Sequence, residues 1–182
     1  MRNSGLVFGS GPSVLLAVVL AVVLAAGCGG SGNASGDGGS GNDGGNGMGA
    51  ATEADLQFCV DENNRYRDMV SKPHFARSAT LEAFALVGAM TDGAAMSAHK
   101  HFIATGGGGI SFAENEIPWW PKSSYGGTVQ DVMRMGIQLM WNEGPGTGAA
   151  HGHYTNMTGA YTQLGCGADL IGDLLTVTID FK

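Results

Sequence analysis

Residues 29–50 set the limits of what this chain can fold into. Eleven of these 22 residues are glycine, and most of the others are serine, asparagine, aspartate or alanine. Such a segment cannot bury enough apolar surface to offset the conformational entropy that it would lose on ordering. We therefore expect a flexible tether over residues 28–50 and one folded domain over residues 51–182, a length that is ordinary for a single domain.

The N-terminus has the pattern of an export signal. Arg2 precedes an uninterrupted apolar run from Val14 to Ala26, which is short for a membrane span and typical of the core of a signal peptide. Leu24-Ala25-Ala26-Gly27-Cys28 closes the run and resembles a bacterial lipobox, in which the cysteine is lipidated and becomes the mature N-terminus. We expect residues 1–27 to be a lipoprotein signal peptide and Cys28 to carry the lipid. An ordinary signal peptide cleaved near Ala26 and an uncleaved anchor are the alternatives.

A lipid on Cys28 would hold the protein on a membrane without spanning it. The expected location is the bacterial cell envelope, with the domain facing the periplasm or the cell exterior. The domain carries eight lysines and arginines against fourteen aspartates and glutamates, and no basic stripe. We therefore expect no nucleic-acid partner.

Two cysteines remain once Cys28 is assigned to the lipid. In an exported protein, Cys59 and Cys166 are expected to form a disulfide, because the compartment is oxidising. Each lies at an apolar position, so two buried free thiols are the alternative.

The periodicity of the domain predicts helices first and a hairpin last. Apolar residues recur at helical spacing over three segments, 53–71, 78–101 and 129–142. Two alternating segments, 164–170 and 174–181, flank the turn-forming residues Ile171-Gly172-Asp173 and predict a β-hairpin. This order favours an α+β fold with an antiparallel sheet.

Two histidines and two glutamates are the residues most suited to chemistry. They are His101, Glu114, Glu143 and His153. Neutral imidazole and carboxylate groups are ligands for Zn²⁺, and a metal-bound water is a nucleophile. Without a metal, a carboxylate beside an imidazole is an acid–base pair. The four residues share no short motif, so their spacing alone does not establish a joint site.

Six short motifs occur in a characteristic order along residues 51–182. They are Asn63-Asn64-Arg65-Tyr66-Arg67, Lys100-His101, Ala113-Glu114-Asn115, Trp141-Asn142-Glu143, Gly152-His153-Tyr154-Thr155-Asn156-Met157 and Leu164-Gly165-Cys166-Gly167. In this order and spacing they resemble the CAP superfamily, also called the SCP domain, which includes cysteine-rich secretory proteins, antigen 5 and plant pathogenesis-related proteins. The segment that begins at Gly152 is similar to the family signature G-H-[FY]-T-x-[MV] and is the most specific of the six.

The resemblance implies an α-β-α three-layer sandwich with a central antiparallel sheet and a cleft formed by the four candidate residues. By this likeness His101 and His153 would bind Zn²⁺ weakly as a two-histidine site, while Glu114 and Glu143 would position water or act as acid and base. Tyr154 and Thr155 would be packing and supporting groups around His153. Asn64 and Arg67 would make structural hydrogen bonds.

Several positions depart from the family pattern. They are Asn63 for a common histidine, Ala113 for glycine, Glu116 for leucine and Gly159 for tryptophan. His99 and His151 each lie two residues from a preferred histidine and are alternative ligands. We prefer His101 because it precedes a loop, and His153 because of the residues that follow it.

The resemblance implies a tethered module that binds a small apolar or amphipathic ligand, such as a lipid or sterol, or a protein partner. Trp119-Trp120, which lies between prolines, is a candidate contact surface, although such a pair is more often a hydrophobic plug. A zinc-dependent hydrolase or peptidase that uses His101, His153 and a glutamate-activated water is the alternative function. A purely structural envelope protein is the third.

Overall fold

The computed structural model describes residues 50–182. Within them lie the α-helices α1 (Glu53–Met69), α2 (Ala79–Ala95), α3 (Lys100–Thr105), α4 (Val129–Asn142) and α5 (Gly152–Thr158). The strands are β1 (Ala76–Arg77), β2 (Ala113–Pro121), β3 (Gln163–Ile171) and β4 (Leu174–Phe181). The predicted signal peptide, the Cys28 lipidation site and nearly all of the tether lie outside the described residues. None of the helices in residues 50–182 has the length and apolarity needed to span a membrane.

The strands form one sheet in the order β1-β3-β4-β2. The predicted hairpin is confirmed: β3 and β4 are antiparallel from Leu164 opposite Phe181 to Ile171 opposite Leu174. β2 is antiparallel to β4 and forms an edge of the sheet. β1 pairs parallel with β3 through only two residues, so the sheet is mixed and not wholly antiparallel. A two-residue strand has no periodicity from which it could be predicted.

Both faces of β4 are buried, and this gives the molecule three layers. Leu175, Val177, Ile179 and Phe181 are fully buried in a core shared with α1, α4 and α5. The alternate residues of β4 face α2, which packs on the other side of the sheet. The predicted α+β sandwich is therefore confirmed.

α2 approaches the sheet closely because β3 carries glycines beneath it. A Cβ atom at Gly167 would lie 2.1 Å from the Leu86 nitrogen, and one at Gly165 would lie 2.4 Å from the Glu82 nitrogen. The Thr178 hydroxyl of β4 donates to the Ala85 carbonyl oxygen at 2.5 Å. No larger residue than glycine fits at either position without moving the helix.

The second predicted helix ends earlier than expected. The helix stops at Ala95, and Met96 and His99 have positive φ angles of 49° and 58° before α3 begins at Lys100. The Asp92 carboxylate accepts a hydrogen bond of 2.8 Å from the backbone N–H of His101, which caps the first turn of α3. A continuous helix over 78–101 is therefore wrong.

The predicted disulfide is confirmed. Cys59 of α1 and Cys166 of β3 are bonded and fully buried. The bond joins one outer helix to the central sheet across 107 residues of sequence.

Candidate functional site

The turn between α2 and α3 brings His99 to the edge strand β2. Its Nδ1 atom lies 2.8 Å from Glu114 Oε1 and 3.6 Å from Glu116 Oε2. Its backbone N–H also donates to Glu116 Oε2 at 2.5 Å. Glu114 and Glu116 are two residues apart on a strand, so their side chains point to the same face. One turn residue thus contacts both carboxylates.

We call His99, Glu114 and Glu116 the His99 group. One ligand atom from each of the three residues lies within 4.8 Å of the others. The two carboxylate side chains are 1% exposed, whereas the imidazole is 35% exposed. The group is therefore reached from solvent through His99.

Burial and hydrogen bonding change the protonation of this group. Burial raises the pKa of the Glu116 carboxyl to about 7 and also raises the pKa of Glu114. The hydrogen bond to Glu114 raises the pKa of the His99 imidazole. Glu116 is therefore partly protonated near neutral pH, and a bound cation would compete with that proton.

Glu143 and His153 form a second pair, which we call the Glu143 pair. Glu143 is the C-cap of α4, and its carboxylate accepts the backbone N–H groups of His153 and Tyr154 at 2.9 and 3.3 Å. The other carboxylate oxygen lies 2.5 Å from His153 Nδ1. One side chain thus holds both the start of α5 and the orientation of the imidazole.

Two asparagines fix α5 against β2. Asn115 donates to the His153 carbonyl oxygen at 3.2 Å, and Asn156 donates to the Asn115 side-chain oxygen at 2.8 Å. Asn156 also reaches the Glu114 carbonyl oxygen at 3.3 Å. The strand that carries the His99 group therefore also positions the helix that carries His153.

Glu116 links the two groups through a cavity of about 220 Å³. Its polar lining consists of Glu116, Glu143 and His153. The rest of the lining is apolar: Ile117, Pro118, Trp120, Gly136, Leu139 and Met140. The cleft is thus a small apolar cavity with carboxylate and imidazole groups along one side.

The preferred histidine His101 lies outside both groups. Its ring packs against Phe84, with centroids 4.6 Å apart, and its Nδ1 atom is buried without a partner in the described residues. The early end of α2 explains the difference, because the left-handed turn directs His99 toward Glu114 and starts a new helix before His101. The alternative ligand His99, and not His101, contacts the glutamates.

The other predicted residues have mixed positions. Glu143 and His153 line the cleft, and Glu114 lies outside that lining, in the His99 group. The His151 ring contacts the carbonyl oxygens of Glu143 and Gly144. Tyr154 packs on Trp141 with ring centroids 4.8 Å apart. Thr155, expected beside it as a supporting group, is exposed.

Glu116 was noted in the sequence only as a departure from the family pattern. Alternation of Glu114 and Glu116 along an extended segment could have indicated a pair of carboxylates on one face. The strand β2 itself was not predicted, because the irregular Pro118-Trp119-Trp120-Pro121 stretch falls within it. A register shift between Ile117 and Trp120 accommodates that stretch.

The His99 group has a donor set that could hold a divalent metal ion. It offers one imidazole and two carboxylates, a combination suited to Zn²⁺ and to other divalent first-row metals. Glu114 Oε2 and Glu116 Oε1 are buried without partners in the described residues, so both retain unused acceptor capacity. The residues present therefore fit a site with one histidine and two carboxylates better than the two-histidine site of His101 and His153.

The comparison with solved structures finds a likeness in fold, and the two sequence comparisons find none. No protein-family model matches the chain, and no curated protein sequence matches it significantly. The solved crystal structure of Na-ASP-1, a CAP/SCP-family protein, matches with a TM-score of 0.54 and 18% sequence identity. The match covers 72% of this chain and 39% of that chain, so the present chain spans less than half of Na-ASP-1. At this identity the likeness concerns the fold alone: the domain folds as a CAP-type α+β sandwich.

Proposed function

We propose that the protein is a membrane-tethered, extracytoplasmic binding protein whose cleft holds a divalent metal ion and a small apolar ligand or partner group. The observation that carries the metal is the convergence of the His99 imidazole on two buried carboxylates, Glu114 and Glu116. Buried carboxylates without a cationic partner are costly, and a divalent cation removes that cost.

The extracytoplasmic location is supported by the disulfide and by the predicted export signal. Disulfides such as that between Cys59 and Cys166 persist in oxidising compartments and are rare in the cytosol. The lipobox-like sequence ending at Cys28 supports a lipid anchor, and the tether would keep the domain near the membrane surface.

The cavity supports an apolar ligand of limited size. About 220 Å³ is smaller than the sites that enclose drug-sized molecules, and most of the lining is aliphatic or aromatic. A short apolar group, such as the end of a lipid chain or a side chain of a protein partner, fits these dimensions. The polar residues of the cavity would then orient the part of the ligand that is attached to this apolar group.

Beside the cleft, the metal would be held by His99, Glu114 and Glu116, of which Glu116 also lines the cavity. When bound there it would supply Lewis acidity and a fixed positive charge toward the cavity. Glu143 orients the His153 imidazole through its contact with Nδ1 and leaves Nε2 as the remaining ring nitrogen for a ligand or water.

The test compares two histidines that lie two residues apart. Zn²⁺ binding to the purified protein is measured by isothermal titration calorimetry near neutral pH for wild type, His99→Ala and His101→Ala. We expect His99→Ala to weaken binding at least about tenfold and His101→Ala to leave it within about twofold. A larger effect of His101→Ala, or no saturable binding by wild type, would contradict the proposal.

A zinc-dependent hydrolase is the second candidate function. Its specific support is the Glu143 pair, a carboxylate and an imidazole in hydrogen-bond contact that line the same cavity as Glu116. Peptide and ester substrates should then be hydrolysed with a rate that falls at least about 100-fold in Glu143→Gln. If metal-loaded wild type hydrolyses neither kind of substrate, the hydrolase is excluded and the binding function remains.

A further inference from the structure

Four carboxylates are buried between α2 and the sheet, and we call them the buried acidic group. They are Asp92 of α2, Glu114 and Glu116 of β2, and Asp180 of β4. Asp92 and Asp180 are 0% exposed, and the two glutamates are 7% and 4% exposed. Only part of this group, the two glutamates, belongs to the His99 group.

Charge does not balance around these carboxylates. The imidazoles of His99 and His101 are the neighbouring side chains that could carry positive charge inside the layer, while Lys100 is exposed. In residues 50–182, no lysine or arginine forms an ion pair with any member of the buried acidic group. Two imidazoles cannot neutralise four carboxylates even when both are protonated.

Hydrogen bonds are also missing in this layer. All but one of the buried side-chain polar atoms that lack a partner in the described residues belong to the buried acidic group or to His101. Asp180 is the extreme case, because neither of its carboxylate oxygens has a partner. The Ser111 hydroxyl lies near enough to the Asp180 carboxyl to favour its ionised form, although the 2.9 Å hydrogen bond of that hydroxyl goes to the Ala113 carbonyl oxygen. Unpartnered buried groups in such number indicate an occupant that the protein atoms do not supply.

Two of the residues with unpartnered oxygens, Glu114 and Asp180, lie side by side on the face of the sheet that α2 covers. Asp180 is the direct antiparallel partner of Glu114, and such partners have Cβ atoms about 5 Å apart on the same face. Glu114 uses Oε1 to contact His99 and leaves Oε2 free. A Cβ at Gly88 would lie 3.5 Å from that Oε2 and 3.4 Å from Thr178 Oγ1, so both oxygens border the position that a side chain at residue 88 would occupy. The Thr178 hydroxyl donates its proton to the Ala85 carbonyl oxygen, and its oxygen can still accept.

We propose that Glu114 Oε2, the Asp180 carboxylate and the Thr178 hydroxyl oxygen hold a second divalent cation, between α2 and the sheet. The donors are all oxygen, which selects hard cations of the Mg²⁺, Mn²⁺ or Ca²⁺ class over softer metals. The two sites would share Glu114, whereas Asp180 and Thr178 belong to the second site alone.

A bound proton is the competing explanation. Burial raises the pKa of the Asp180 carboxyl to about 8, so a protonated Asp180 would also relieve the charge. The two explanations differ in what the variant Asp180→Asn does. If a proton is the only occupant, the neutral amide replaces it and no cation is lost.

The test counts bound Mn²⁺ per chain by equilibrium dialysis with electron paramagnetic resonance, for wild type, Asp180→Asn and His99→Ala. We expect two ions in wild type and one in Asp180→Asn. A count for folded Asp180→Asn equal to that of wild type would overturn the second site. His99→Ala tests the first site separately: if its count equals that of wild type while Asp180→Asn loses one ion, the proposed metal at the His99 group fails and the second site stands.

Circular dichroism checks that the variant Asp180→Asn is folded. A second measurement uses wild type alone and does not depend on the folding of the variant. Anomalous diffraction from wild-type crystals soaked in Mn²⁺ should show a peak within coordination distance of Asp180. A map with no peak beside Asp180 at saturating Mn²⁺ would contradict the proposal, whatever the variant does.

Discussion

Arg67 is the clearest case of a single residue that holds distant segments together. It is 2% exposed, and its guanidinium donates to the carbonyl oxygens of Pro73, Met157 and Gly159 at 2.5, 2.8 and 3.0 Å. The guanidinium also lies 3.8 Å from the centre of the Phe75 ring. The structural role expected for Arg67 is therefore confirmed: it ties the end of α1 to the end of α5.

Arg67→Lys should destabilise the protein strongly although charge is kept. A lysine cannot reproduce the planar set of donors, so buried carbonyl oxygens would lose their partners. We expect a loss of about 2–4 kcal/mol in the free energy of unfolding, measured with urea. Arg65→Lys is the matched control, because Arg65 is half exposed and pairs with Glu62, and it should cost less than about 1 kcal/mol. Equal losses in the two variants would refute this role for Arg67.

Of the four candidate residues, Glu143 and His153 contact each other, whereas His101 does not contact the glutamates and His99 does. Glu143 and His153 could be predicted because their motifs are local and the capped helix α4 ends where expected. The choice of His101 over His99 assumed a continuous helix, and two non-glycine residues with positive φ were not predictable from periodicity. Alternation over 174–181 places Asp180 on the polar face of a strand, and nothing local indicates that a helix covers that face.

At the scale of elements, the hairpin was predictable and its burial was not. Alternation over 174–181 predicts one buried face and one polar face, and the register of β4 agrees with it. The polar face is nevertheless covered by α2, with Thr178 0% exposed. The reason lies in β3, where glycines at 165 and 167 let the helix backbone come within contact of the sheet. Glycines at such positions allow close packing of a helix on a strand, and the hydrophobic pattern of the sequence does not predict this role.

Gly167→Ala should therefore disrupt the contact between α2 and β3. The added Cβ would lie 2.1 Å from the Leu86 nitrogen, a backbone atom that cannot move alone. We expect a loss of at least about 2 kcal/mol in the free energy of unfolding. Gly152→Ala is the control, because Gly152 has helical φ and ψ of −62° and −46° and its Cβ would meet nothing within 4 Å. That change should be neutral or stabilising by up to about 1 kcal/mol, and the opposite ranking would refute the packing argument.

At the scale of the whole molecule, the disulfide closes a long loop. Cys59 and Cys166 are separated by 107 residues, so the bond restricts much of the unfolded domain. Replacing both cysteines by alanine should lower the free energy of unfolding by about 2–5 kcal/mol. Reduction of wild type with a thiol should lower the free energy of unfolding, measured with urea, by a similar amount. A double variant as stable as oxidised wild type would show that the bond contributes little.

Proton binding should give the metal-free molecule an unusual dependence on pH. Burial raises the pKa of each member of the buried acidic group, to about 7 for Glu116 and about 8 for Asp180. The Glu114 contact raises the pKa of His99 as well. All these pKa values are higher in the folded state than in the unfolded state, so the folded protein binds more protons. The free energy of unfolding should therefore fall as pH rises from about 4 through about 8.

The slope of the free energy of unfolding against pH shows how many ionisable groups cause this fall. Each proton bound in excess by the folded state contributes about 1.4 kcal/mol per pH unit, so urea unfolding in EDTA from pH 4.5 to 8.5 measures how many carboxyls are involved. Asp180→Asn cannot ionise at that position, so its slope should be shallower by up to one proton over this range. Saturating Mn²⁺ should reduce the wild-type slope, because a cation stabilises the ionised carboxylates that high pH produces. A free energy of unfolding that rises between pH 5 and 8 in EDTA would show that the buried acidic group is compensated by charges that the present contacts do not contain.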